Sequence, residues 1–332
     1  MFYGCTSLTS VPEGLFANNT AVTYFGSVFD GCTSLTTIPE RLFANNTLVN
    51  YFGGTFRWCA SLKSIPENLF ANNTAVTEFP GAFEWCTSLT TIPEGLFAHN
   101  TTVTDFNSTF SRCTSLTTIP ERLFANNTKV SVFYSTFMGC TSLTSVPEGL
   151  FANNTAVTNF GWAFYGCTSL TTIPEGLFAH NTAVTSFERT FNGCTSLTRL
   201  PSGIFSTNTK VTSYSGVFEG CTSLRDIGGL FSGAGVSNVT NYSRALYNTA
   251  VPDRLNFVID SAGVTSADNF ISGQGHFVVV PSKTSATAFG KNTNLTVSVE
   301  KIAYPDLSGG SGIDIIGGSI VVPDGGDEPV NS

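Results

Sequence analysis

The sequence predicts an α/β solenoid, a right-handed coil of 27-residue units closed by a C-terminal cap. Three observations carry that prediction. Cysteines recur at Cys5, Cys32, Cys59, Cys86, Cys113, Cys140, Cys167, Cys194 and Cys221, each 27 residues after the last. Prolines from Pro12 to Pro201 keep the same step. Counted from the cysteine, the eight copies also hold Ser at column 3, Leu at 4, Phe at 12, Asn at 15, Thr at 16, Val at 18 and Phe at 25 without exception. A period of this size means stacked units, each burying its apolar face on its neighbours. One isolated unit is not expected to fold.

The copy that starts at Cys113 gives the local reading. Leu116–Ile119 predicts a short strand, rich in β-branched residues and ended by Pro120, which cannot donate to a ladder. Glu121–Phe124 predicts a tight helical turn with proline at its first position. Asn126, Asn127 and Thr128 read as turn chemistry and a cap. The triplet fits the N-glycosylation pattern, but repetition explains it more simply as stacked turn residues. Val130, Phe133 and Phe137, spaced by three and four, predict one face of a short helix. Parallel strands joined by helical turns give the right-handed coil.

Residues 1–220 form eight regular units. From 221 to 304 the pattern decays into imperfect coils and a cap, with strands expected at Leu255–Asp260 and Phe277–Val280 and a weak turn at Val264 and Phe270. Residues 305–332 are glycine-rich and acidic, a tail or linker by composition, although Ile313–Ile316 and Ile320–Val322 leave room for one more strand. The chain opens inside a repeat, since Phe2 precedes Cys5 as Phe29 precedes Cys32. A piece of a longer array is therefore expected, its first coil presenting an open apolar face suited to self-assembly. No signal peptide stands in this chain.

Composition narrows the chemistry. Charged residues are 11% of 332 and the net charge is -8, which fits neither a disordered acidic chain nor a nucleic-acid binder. No apolar run approaches the ~18 residues of a membrane span. Nine cysteines in one column read as a buried thiol ladder, not a disulfide framework, and they lack the paired spacing and histidines of a zinc site. The glutamates from Glu13 to Glu175 form a column that raises calcium as an idea. It offers one carboxylate per coil where calcium takes six to eight oxygens, so a carboxylate at the start of a helical turn is the simpler reading. His99 and His180 lie three coils apart and cannot share a metal, and His276 is isolated. No nucleophile elbow, HExxH or phosphate loop appears. Neither catalysis nor a cofactor is expected.

The informative columns vary while the frame stays fixed. They nominate Tyr24, Tyr51, Arg57, Trp58, Trp85, Tyr134, Trp162, Tyr165 and Arg189 as a binding surface, pointing away from the core side of the expected helix. Tryptophan, tyrosine and arginine are enriched in binding hot spots, and aromatics on adjacent coils can join in one patch. The flatter strand face, with Thr9, Thr36, Thr90 and Thr117, is the competing surface.

The string Phe137-x-x-Cys140-x-x-Leu143-x-x-Val146-Pro147 resembles the FxxCxxLxxI core of BspA-like leucine-rich repeats. Val157 to Cys167 is similar to the related repeats of bacterial surface lipoproteins. Phe277–Ser282, with Ala286 and Phe289 behind it, resembles the segment that closes such arrays. The resemblance covers about residues 1–300 and identifies the coil as leucine-rich-repeat-like. It implies an extracellular or cell-surface location and adhesion to a protein or glycan on a host or neighbouring cell. It carries over no catalytic residue. The alternative is a structural or receptor-binding part of a larger assembly, such as a bacteriophage fibre or an envelope spacer.

Overall fold

Hydrogen bonds between successive coils, more than regular strands or helices, define the architecture. The computed structural model describes residues 1–231 and 234–299. The chain divides into the units Met1–Lys301 and Ile302–Ser332. The second unit, with the expected tail and its two apolar runs, lies outside the described residues.

From residue 1 to 231 the backbone consists of turns and single parallel bridges. One ladder joins Tyr24, Tyr51, Glu78, Asp105, Val132, Asn159, Ser186 and Ser213 in order, each 27 residues from the last. Two expectations are corrected by it. Leu116–Ile119 is not a strand, because Pro120 ends the run and the crossing bond is a long one, Thr117 N to Thr90 O at 3.4 Å. Val130–Phe137 is not a helix but a bridge at Val132 followed by turns.

The third coil shows why. Phe79, Gly81, Phe83 and Trp85 donate their N–H groups to Asp105, Asn107, Thr109 and Ser111 of the next coil, at 3.1, 2.8, 2.9 and 2.8 Å. The N–H groups between them, of Ala82, Glu84 and Cys86, donate back to Phe79, Gly81 and Phe83 at 3.2, 3.1 and 3.2 Å. An α-helix bonds every N–H four residues back within one segment. Here every second donor leaves for the neighbouring coil. The expected turn after proline does form: Leu123 N donates to Pro120 O at 3.3 Å and Asn127 N to Phe124 O at 3.0 Å.

The core is three files of phenylalanine running from coil to coil. Phe97, Phe106 and Phe110 stack on Phe124, Phe133 and Phe137 at 6.1, 5.9 and 5.8 Å with nearly parallel rings. Within a coil the rings tilt, as Phe97 does on Phe106 at 51°. Both are favourable ring geometries. Column 15 supplies the buried polar counterpart. Asn127 Nδ2 donates to Phe97 O at 3.1 Å and Asn100 O at 2.9 Å. It is a ladder residue more than a turn residue. Its neighbour Asn126, on the surface, repeats the device on Ala98 O at 2.9 Å.

All nine cysteines are free thiols, and Cys5 alone is exposed. Cys140 Sγ donates to Phe110 O at 3.2 Å. Burial pushes the Cys140 and Cys221 thiols up to about 12 and holds Cys113 and Cys167 well above the ordinary thiol range. In the first coil Phe2, Leu8, Leu15 and Val22 are only partly covered, where Phe29, Leu35, Leu42 and Val49 are buried.

Past Ser213 the bridged residues change step, to Asn241 and then Ser266. Val264 and Phe270 are buried on either side of that last bridge. Three parallel strands follow: β1 (Asn256–Val258), β2 (His276–Val280) and β3 (Leu295–Val299), in the order β1-β2-β3. β1 falls within the expected run and β2 begins one residue before its own, at His276; β3 was not expected. Neither was the short helix α1 (Lys283–Phe289), which is capped by the Ser282 side chain on Ser285 N and buries Phe289. No helix among the described residues is long and apolar enough to cross a membrane.

Two measurements check this frame. A thiol reagent applied to the native protein should titrate Cys5 and leave the other eight cysteines unreacted until denaturant is added, because the thiolate is the nucleophile and burial suppresses it. Asn127→Ala should lower unfolding stability by about 1–2 kcal/mol, since two buried side-chain hydrogen bonds are lost while Phe97 O and Asn100 O keep their backbone donors. Asn126→Ala, on the surface, should cost less than about 1 kcal/mol in the same denaturation series.

Candidate binding surface

All nine nominated residues fall in columns 20 to 27 of the unit. The phenylalanines of columns 21 and 25 point into the core. That leaves columns 20, 22, 23, 26 and 27 to face outward from the bridge and its turns, and this stretch takes the place of the expected helix face. Tyr24, Trp58 and Tyr134 are exposed and the other six are half-buried.

The structure sorts them into three groups. Tyr24 and Tyr51 stack at 4.8 Å with their rings 3° apart. Tyr51 folds over Gly53, where a Cβ would stand 2.2 Å from its hydroxyl, and Tyr24 folds over Gly26 in the same way. In this packing each tyrosine at column 20 lies over a glycine at column 22. Nearby, Arg57 donates from Nε and Nη2 to Asp30 Oδ2 at 3.0 and 2.6 Å. The second group is a stack along column 27. Trp58 lies on Trp85 at 4.2 Å, and the Arg112 guanidinium caps Trp85 at 4.6 Å. In the third, Trp162 sits between Tyr165 at 4.6 Å and Arg189 at 5.0 Å. Tyr134 leans over Gly161, with Cδ2 3.2 Å from where a Cβ would stand.

Between the tyrosine pair and Arg57 the surface opens into a trough of about 280 Å³. Its floor is column 23 of four successive coils, Ser27, Gly54, Gly81 and Ser108. One bank is Tyr24, Tyr51, Pro80 and Asn107, and the other is Arg57 and Glu84. Burial raises the Glu84 carboxyl, while Arg57 and Arg112 pull it back down. Beside the trough, Glu78 and Asp105 are bridge partners. Neither forms an ion pair with a basic side chain among the described residues.

Arg112 and the glycine floor were not nominated from the sequence, whereas Glu84 stands among the varying columns that were. A signal was available. Columns 23 and 27 read Gly in several copies and Trp, Arg or Ser in the others, the mark of a left-handed backbone position. The competing threonine face is exposed at Thr9, Thr90 and Thr117. Thr36 and Thr171 spend their hydroxyls on the preceding coil's Thr9 O and Thr144 O, at 3.2 and 3.3 Å. Among the described residues no group of three or more His, Cys, Asp or Glu gathers to hold a metal ion. His276 is buried, with Nε2 3.0 Å from Ser272 O. The surface is equipped to bind by stacking, by cation–π contact and by side-chain hydrogen bonds.

Known proteins match the repeat. A leucine-rich repeat protein of Bacteroides ovatus ATCC 8483 is 23% identical over 72% of this chain and 79% of its own, with a TM-score of 0.30. A leucine rich cell surface protein of Faecalibacterium prausnitzii A2-165 is 18% identical over 89% of this chain and 84% of its own, with a TM-score of 0.30. A chain of the Toll–Spatzle complex of Drosophila is 15% identical over 81% of this chain, with a TM-score of 0.27; this chain covers 51% of its length. No curated protein matches the chain. The family model described as BspA type leucine rich repeat region matches in six copies, over residues 1–160 and 107–243. With a match that runs from residue 1 to 243, the chain belongs to the family of BspA-type leucine-rich repeat proteins.

Proposed function

We propose that this chain is a cell-surface binding module, with a rigid coil that presents columns 20 to 27 to a protein or glycan on a host or neighbouring cell. The observation that carries this reading is backbone conformation. Trp58, Trp85 and Arg112 in column 27, and Trp162 and Arg189 in column 23, have φ of 60, 62, 59, 59 and 51°. Gly31, Gly139, Gly166, Gly193 and Gly220 fill column 27 elsewhere, and Gly54, Gly81 and Gly216 fill column 23, all at positive φ. Left-handed backbone costs a residue with a Cβ about 1–2 kcal/mol. Ring stacking returns about 0.5–1.5 kcal/mol beyond the area it buries, which offsets the backbone cost without explaining why glycine was not kept. Strain held where glycine would relieve it points to a role at the surface.

The fold and these stacks need no reaction, and no step of catalysis is assigned to them. The resemblance supports a location outside the cell. The scaffold alternative stands as the outcome in which nothing binds.

Two experiments follow from this reading. Trp85→Gly should be more stable than Trp85→Ala by about 1 kcal/mol in chemical denaturation, the reverse of the usual order of the two residues. The second is binding of the purified chain to arrays of host matrix proteins and glycans, alongside a variant with Tyr51, Trp58, Trp85 and Trp162 changed to serine. A bound ligand should be lost by the variant while its thermal unfolding stays cooperative. Binding that survives all four changes would move the site off this face, and no binding at all would favour the scaffold.

A further inference from the structure

We propose that the trough over Ser27, Gly54, Gly81 and Ser108 is a subsite for a neutral glycan chain lying along the coil axis. The inference rests on the surface-binding reading and names the ligand class for one part of that surface.

Shape comes first. The floor is made of glycine and serine in four consecutive coils and lies alongside the tyrosine stack. Further along the same column Trp162 and Arg189 occupy the floor position. The trough's lining ends at Ser108, one coil before Ser135 and two before Trp162 in the same column, and its long direction follows the stacking of the coils. About 280 Å³ is just below the usual ~300–1,000 Å³ of ligand sites, which suits part of a chain held in a channel open at the surface.

Hydrogen bonding decides between a peptide and a sugar. A peptide gains affinity in a groove by pairing its amides with backbone groups of the wall or floor. This floor offers it no run of backbone donors. The N–H groups of Ser27, Gly54, Gly81 and Ser108 already donate to Gly53, Pro80, Asn107 and Tyr134 of the next coil, at 2.9, 2.8, 2.8 and 2.9 Å. What remains is on side chains. Two of the Arg57 nitrogens are held by Asp30, which leaves Nη1 unspent. The Ser27 hydroxyl and the Glu84 carboxylate make no hydrogen bond among the described residues. Glu84 Oε2 reaches over the floor, 3.3 Å from where a Cβ of Gly81 would stand. Donors and acceptors are interspersed here, and a sugar hydroxyl can meet either. The tyrosine pair gives the apolar bank against which the C–H face of a ring can lie.

Charge excludes the acidic glycans. Asp30 already pairs with the one cation on the bank, Arg57. Glu84 faces the trough, and Glu78 and Asp105 stand beside it. A sialylated or sulfated chain would meet net negative charge, and like charges brought together without a partner are unfavourable.

The test uses the full chain and isothermal titration with short linear neutral oligosaccharides of hexose and N-acetylhexosamine, beside their sialylated and sulfated counterparts. Two variants accompany it. Gly81→Trp fills the floor in a conformation the chain already gives Trp162, since the two φ values are both 59°. Glu84→Gln keeps the shape and removes the charge. We expect a neutral glycan to bind with little dependence on salt, about tenfold or more weaker binding in Gly81→Trp, and a smaller loss in Glu84→Gln. Preference for the acidic glycans, binding untouched by Gly81→Trp, or no neutral glycan bound would each overturn the proposal. A protein ligand that depends on Trp58, Trp85 and Trp162 but ignores Gly81→Trp would overturn it while leaving the surface-binding reading intact. Absence of any ligand, protein or glycan, would remove both.

Discussion

Every second N–H in columns 21 to 27 is bonded to the next coil, and this one constraint sets most of the structure. Once two coils are tied at four successive points, each side chain must stand beside its own copy. A column then keeps only residues that tolerate themselves as neighbours. Phenylalanine stacks on phenylalanine, as Phe106 does on Phe133. Asparagine at column 15 reaches back to the preceding asparagine's carbonyl. Cysteine fills the narrow space at column 1 and places its thiol on a phenylalanine carbonyl one coil away. The invariance of these columns is thus a packing requirement, because a change in one coil is felt by the coils on both sides.

The same constraint explains what the sequence disclosed and what it concealed. Period, core columns and thiol ladder were legible because each is repeated, and repetition survives any error in local reading. The local conformations were less so. Val130, Phe133 and Phe137 are spaced as on a helix, yet the spacing comes from a bridge and left-handed turns that spend alternate donors elsewhere. Leu116–Ile119 carries strand-like residues but stands next to a proline that removes a donor in every coil. Propensity was overruled by a bonding pattern that exists only between coils. For the candidate surface, variation against a fixed frame found the aromatic residues. It did not find their grouping, which depends on two indices at once, column and coil. Arg112 belongs with Trp85 because it is in the same column one coil on, and Glu84 belongs with Arg57 for the same reason.

The frame and the face are therefore nearly independent. Most of the bonds that hold the coils use backbone groups and inward side chains. The outward columns carry tyrosine, tryptophan, arginine, acid or glycine without disturbing the ladder. The acidic pair Glu78 and Asp105 shows the latitude available. Like charges on paired residues are unfavourable in a sheet, and the coil carries them with the bridge intact.

The left-handed positions of columns 23 and 27 have an evolutionary consequence. Because glycine, serine, tryptophan and arginine all occupy the same socket with nearly the same φ, whole units are interchangeable parts. Recombination that duplicates, deletes or reorders a unit rewrites the outer surface in one event and leaves the backbone ladder and core contacts at each junction unchanged. A trough in one place and a tryptophan stack in another are two arrangements of one kit. New recognition surfaces on this fold can arise by shuffling, without waiting for point mutations to accumulate in a folded core.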